Sequence, residues 1–149
     1  MKTRTLLIAL TLLITVPFCC EPIDCRDESI IDRIDFKNFN STEIDSLLFI
    51  SFSKNFNFIA RIDSFFVYYT TSIDEDTKEI PMPRLMDIQY DWEIKLISTQ
   101  AIYRVTDFVI RKEECSSGGC TRKATYYNNL DSYKVNWIIQ KDERVTIRK

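Results

Sequence analysis

Along most of this chain apolar residues recur at every second position, the spacing of a strand with one packed and one wet face. In DWEIKLI, Trp92, Ile94 and Leu96 fall on one side, and Asp91, Glu93 and Lys95 on the other. The alternation returns in SYKVNWII through Tyr133, Val135, Trp137 and Ile139, and in YRVTDFVI through Tyr103 and Val105, then Phe108 and Ile110. RIDF, with Ile34 and Phe36, reads as an early strand. Two segments, LLFISF (47–52) and FFVYY (65–69), are apolar or aromatic at every position but Ser51 and are expected to be buried on both faces or central in a sheet. No stretch sustains a helical stripe over three turns; STEIDS is good for a single helical turn.

The breaks between these runs are equally legible. A turn is expected around Lys54 to Asn57, and the segment TSIDEDTKEIPMPR (71–84), with Pro81 and Pro83, reads as the longest piece outside the strands. ECSSGGC (114–120) holds the two glycines of the whole chain and marks a hairpin tip, where glycine takes backbone angles that other residues resist. The pattern predicts an all-β protein, a single antiparallel β-sandwich of about 7 to 9 strands, with a small closed β-barrel as the alternative.

The first 18 residues, MKTRTLLIALTLLITVPF, join a positive start at Lys2 and Arg4 to an apolar run. That run is too short for a permanent membrane helix and suits a secretory signal. Directly behind it stand Cys19 and Cys20, and here the chain resembles a bacterial lipoprotein precursor. In that family an aliphatic residue and two small ones precede a cysteine that is diacylated and becomes the new N-terminus. Val16 takes the aliphatic position and Cys19 the lipidated one, Pro17 and Phe18 stand where the family has small residues, and Cys20 fits less well. The resemblance implies a signal over 1–18, a tether over 19–28, a β-sandwich domain over 29–149, and lasting attachment through two acyl chains. A soluble secreted protein is the alternative.

Five cysteines are an odd number for an oxidising compartment. With Cys19 assigned to lipid, four remain in two units of equal spacing, Cys20 with Cys25 and Cys115 with Cys120, and a disulfide is expected in each. A four-sulfur zinc site would use tighter knuckles, so no metal is expected. A Cys115–Cys120 bridge closes a loop of only six residues, so it clamps the hairpin tip more than it builds the fold.

Charge and chemistry narrow the function. The chain carries 20 basic and 22 acidic residues, Lys2 and Arg4 leave with the signal, and no basic cluster with interleaved aromatics points to nucleic acid. There is no histidine, which removes Ser-His-Asp and Cys-His catalysis and histidine metal ligation. No glycine-rich phosphate cradle is present, and no cofactor is expected. Paired carboxylates such as Asp91 and Glu93 keep a carboxylate-only glycoside hydrolase open as the enzymatic rival. The acidic run with Asp74, Glu75, Asp76 and Glu79 lacks a calcium-loop register. Tyr68, Tyr69, Trp92 and above all Tyr126 and Tyr127 are candidates for a sugar-stacking platform. Asn40-Ser41-Thr42 fits the eukaryotic N-glycan acceptor pattern, and Asp45-Ser46-Leu47 resembles the O-glycan acceptors of some Gram-negative bacteria, with Ser46 as the acceptor.

The signal, the strand spacing, FNSTEIDSLLF and the terminal RVTIRK together look similar to small immunoglobulin-like or transthyretin-like sandwiches carried by lipoproteins of Gram-negative bacteria. The resemblance implies a non-catalytic binding or structural module, anchored to the cell envelope, in particular the outer membrane, and touching the bilayer and an unidentified protein or glycan. A hydrolase inhibitor that uses the CSSGGC loop as a plug is a further alternative.

Overall fold

The structure is a computed structural model that describes residues 30–69, 77–115 and 125–149. Nine strands are described: β1 (Ile30–Lys37), β2 (Ser46–Ser53), β3 (Arg61–Tyr68), β4 (Thr77–Asp87), β5 (Tyr90–Leu96), β6 (Ile102–Cys115), β7 (Thr125–Val135), β8 (Ile138–Gln140) and β9 (Thr146–Arg148). They form two sheets, a three-stranded one in the order β4-β1-β9 and a curled six-stranded one in the order β3-β2-β5-β6-β7-β8. Among the described residues the one helical element is a 3-10 turn at Ser41–Glu43, within the stretch expected to turn once. The protein is therefore an all-β sandwich, as its alternation predicts. The larger of two compact units, Arg26–Glu113 with Tyr127–Lys149, contains the core.

The inward positions read from the sequence are the buried ones. Trp92, Ile94 and Leu96 are buried on β5, where Ile94 pairs with Phe49 and Leu96 with Leu47 of β2. Ile34 and Phe36 of β1 are fully buried, with Ile34 opposite Ile80 of β4. On β6 the inward phase shifts from Val105 to Phe108 and Ile110 across Asp107, whose backbone takes a left-handed φ of 53°. Tyr133, 1 % exposed, fastens the last strand: its hydroxyl donates to the Arg144 carbonyl at 2.9 Å and accepts from the Thr146 N–H at 2.6 Å.

Three expectations change. FFVYY is not central: β3 is an edge strand, and while Val67 is buried, Phe66 and Tyr68 are exposed. Only LLFISF, flanked by β3 and β5, is interior. The proline-bearing segment is not a loop over its second half, because β4 starts at Thr77 and runs through both prolines. An edge tolerates residues that cannot donate to a ladder, and the register with β1 jumps where Pro83 lies: Ile31 faces Met86, yet Arg33 faces Pro81. Finally, SYKVNWII is not one strand. Asn136 (φ 47°) and Trp137 (φ 71°) both take left-handed angles and make a two-residue hairpin between β7 and β8, which turns Trp137, Ile138 and Ile139 out to solvent.

Side chains close the two seams of the sandwich. Arg84 of β4 bonds Asp63 of β3 at 2.9 Å and lies 6.0 Å from the Phe65 ring. At the other seam Arg148 of β9 bonds Asp142 at 2.8 Å and reaches Gln140 of β8 at 2.9 Å.

Candidate functional site

Besides the β7–β8 hairpin with its outward Trp137, Ile138 and Ile139, two surfaces of the six-stranded sheet depart from a plain wet face. The first is the outer side of β2 and β3, where Ile62, Phe66 and Tyr68 occupy alternate positions and are each more than half exposed. Phe66 stands opposite Leu48, and Ser64 opposite Ile50; both β2 residues are half-buried. The Phe66 and Tyr68 rings are stacked, 6.3 Å between centroids with planes 14° apart. Together these side chains make an apolar strip that the core does not use.

The second is the loop joining β2 to β3, Lys54 to Ala60. It is closed by Ser53 N–H donating to the Ala60 carbonyl at 2.9 Å. Asn55, Asn57 and Phe58 all take positive φ, and for a bulky aromatic such as Phe58 (φ 61°) that conformation is strained. The strain is held by packing: the Phe58 ring meets Phe52 edge-on at 5.2 Å, and the Arg104 guanidinium lies 4.7 Å from its centre. The loop thereby folds over the sheet's outer face and leaves Phe56 and Ile59 in solvent, at 59 % and 83 % exposure.

Beneath this loop lies Asp91, predicted on the wet face but in fact buried. Burial pushes its carboxyl above the usual range, against the pull of Lys54; Asp107 adds repulsion, and a hydrogen bond from the Asn55 backbone N–H opposes the rise. Glu93, two positions on, is tied to Arg104 at 3.2 Å. One carboxyl of this pair is covered and the other is engaged by a cation, so the two do not face a common open cleft in the way a glycosidase arranges its acids. Thr106 Oγ1 is buried with no hydrogen-bond partner.

A polar depression of about 490 Å³ lies between β1 and the segment leading into β9, lined among others by Asp35, Lys37, Asp142 and Arg144. Burial pushes the Asp35 carboxyl up, whereas the Arg148 hydrogen bond holds Asp142 below the usual carboxylate range. Cations and carboxylates alternate around it, which favours no ligand of one sign. Nearby Glu79 joins Arg33 at 2.5 Å and Arg144 at 2.7 Å, so this member of the acidic run is fixed by two guanidiniums; Asp74, Glu75 and Asp76 lie outside the described residues. Among the described residues no group of three His, Cys, Asp or Glu side chains is placed to hold a metal ion.

The sequence-derived candidates are dispersed. Cys19, Cys20, Cys25 and Cys120 lie outside the described residues, and Cys115 is described only as the last position of β6. Tyr126 and Tyr127 are neighbours on β7, and strand alternation points neighbours to opposite faces. Tyr126 is exposed, while Tyr127 is half-buried with its hydroxyl donating to Glu113 at 2.8 Å. Trp92 belongs to the core and donates from its indole to the Asp87 carbonyl at 3.0 Å. Ser46 opens β2 opposite Tyr68 and is half-buried. Phe66, Phe56 and Ile59 escape the sequence reading, because an apolar side chain in a strand or turn carries no mark of which way it faces. No protein-family model, no curated protein and no solved structure matches the chain.

Proposed function

We propose that this protein is a non-catalytic β-sandwich held at the cell envelope by lipid on Cys19, in the manner of a Gram-negative outer-membrane lipoprotein, and that it binds a protein partner along the outer side of β2 and β3. The observation that carries the reading is the exposed strip of Ile62, Phe66 and Tyr68 continued by Leu48 and Ile50. Contiguous apolar surface of this kind marks contact sites, and aromatic residues contribute most where they are desolvated on binding. The lipid supplies location and the strip supplies contact. A glycan is the second reading, favoured by the near-parallel, exposed rings of Phe66 and Tyr68, on which a sugar ring can stack.

A photoreactive benzoylphenylalanine placed at Tyr68 in living cells tests the first reading. It should yield one discrete cross-linked protein, whereas the same group at the exposed Glu143 should yield none. Equal adducts at the two positions, or none at Tyr68, contradict it. Saturable binding on a glycan array that Tyr68→Ala abolishes would favour the second reading.

A further inference from the structure

The register brings the start of the described chain and the strained loop to one end of the sandwich. Ile30 pairs with Asp87 at the end of β4; Ile88 and Gln89 turn into β5, and Tyr90 pairs with Ser53, the residue before the loop. This end exposes Ile30 (45 %), Phe56 (59 %) and Ile59 (83 %). Lys54 and Arg61 flank the two loop residues in sequence, as cations flank apolar segments seated at a membrane interface.

We infer that the Lys54–Ala60 loop is a membrane-contacting tip: Phe56 and Ile59 enter the interfacial layer of the bilayer that holds the Cys19 lipid. The inference rests on the lipoprotein reading. Cys19 precedes Ile30 by 11 positions, so even a fully extended tether spans at most about 36 to 40 Å. The tether enters the sandwich at the end carrying Ile30, so that end stays within this reach of the lipid surface, and the same end carries the outward Phe56 and Ile59. Two apolar side chains alone bind a bilayer weakly, but a tether raises their local concentration at the surface, so that contact orients an already anchored domain. The left-handed Phe58 belongs to the same device, since the turn that packs it on Phe52 and Arg104 is the turn that leaves Phe56 and Ile59 in solvent.

The test uses the full mature protein purified from its membrane fraction and reconstituted into phosphatidylethanolamine and phosphatidylglycerol vesicles, with or without brominated acyl chains. In a Trp137→Phe background, Ile59→Trp is compared with Tyr68→Trp, seven strand positions from Arg61 and so about 23 Å farther along β3. Phe56→Trp serves as a second probe, urea unfolding of each variant checks its fold, and intact mass of the same sample checks its acylation. Bromolipid quenching at positions 59 and 56 about twofold or more stronger than at position 68 is the expected result, given insertion roughly 5 to 10 Å into the interface. Acylated protein that floats with the vesicles yet is quenched equally at all three positions overturns the tip and leaves the anchor standing. A mass without acyl chains overturns the anchor and the tip together.

Discussion

A single phenol, that of Tyr133, ties β7 to the backbone leading into β9, and removing its hydroxyl leaves a buried Thr146 N–H without its acceptor. Burial, chiefly, pushes the phenol pKa up to about 12, so the group stays neutral over the working range. Tyr133→Phe should destabilise the protein by about 1 to 3 kcal/mol, read as a lower urea midpoint at unchanged slope. Asp91 predicts in the opposite direction. Its folded-state pKa is raised by burial, so its contribution is whole below the ordinary carboxylate range of about 3.9 and is lost as pH rises through the folded value. Asp91→Asn, which keeps an acceptor for the Asn55 N–H, should therefore raise the urea midpoint at pH 7 and lose that advantage near pH 3. Alternation placed Asp91 correctly on the outer face. What it could not show is that a loop from a different part of the chain would fold over that face, because the contacts that hold Phe58 there, with Phe52 and Arg104, are not periodic.

Among elements, the turns carry the unusual chemistry. Both glycines lie at 118 and 119, so the left-handed positions elsewhere fall to other residues, four of them asparagine: Asn38, Asn55, Asn57 and Asn136. Asparagine accepts that conformation because its short amide bonds the local backbone, whereas Trp137 gains nothing comparable. Trp137→Gly should stabilise the β7–β8 hairpin by about 0.5 to 1 kcal/mol, visible as a higher thermal midpoint. An unchanged or lower midpoint would mean that the exposed indole packs usefully where it is. The Asn-Trp turn hid from the pattern because Trp137 and Ile139 continue the spacing of Tyr133 and Val135, and periodicity alone cannot tell an apolar strand from an apolar hairpin. β4 escaped for the converse reason: prolines argue against a strand, yet an edge with a bulge admits them. FFVYY shows the remaining limit, since an all-apolar run fits an edge strand with a sticky outer face as well as a central one.

At the scale of the whole molecule, two sheets enclose one core and their seams are held by ion pairs. Asp142 and Glu79 are both held below the usual carboxylate range, mainly by hydrogen bonds from Arg148 and Arg33 respectively. For such groups the stabilisation is present above the unfolded pKa and is lost as pH falls through the folded one, so acid should loosen the β8–β9 seam. Asp142→Asn should flatten the acid limb of a stability profile between about pH 4 and 2 relative to wild type. The sandwich itself was legible because alternation is written into β1, β5, β6 and β7, and the contact surfaces were not, because facing is decided by sheet order. Whether lipid on Cys19 ties this module to the envelope is decided by intact mass and N-terminal analysis of the protein taken from its own membranes. The expected product is a chain that begins at Cys19 and carries acyl groups. A soluble product with an unmodified N-terminus would contradict it.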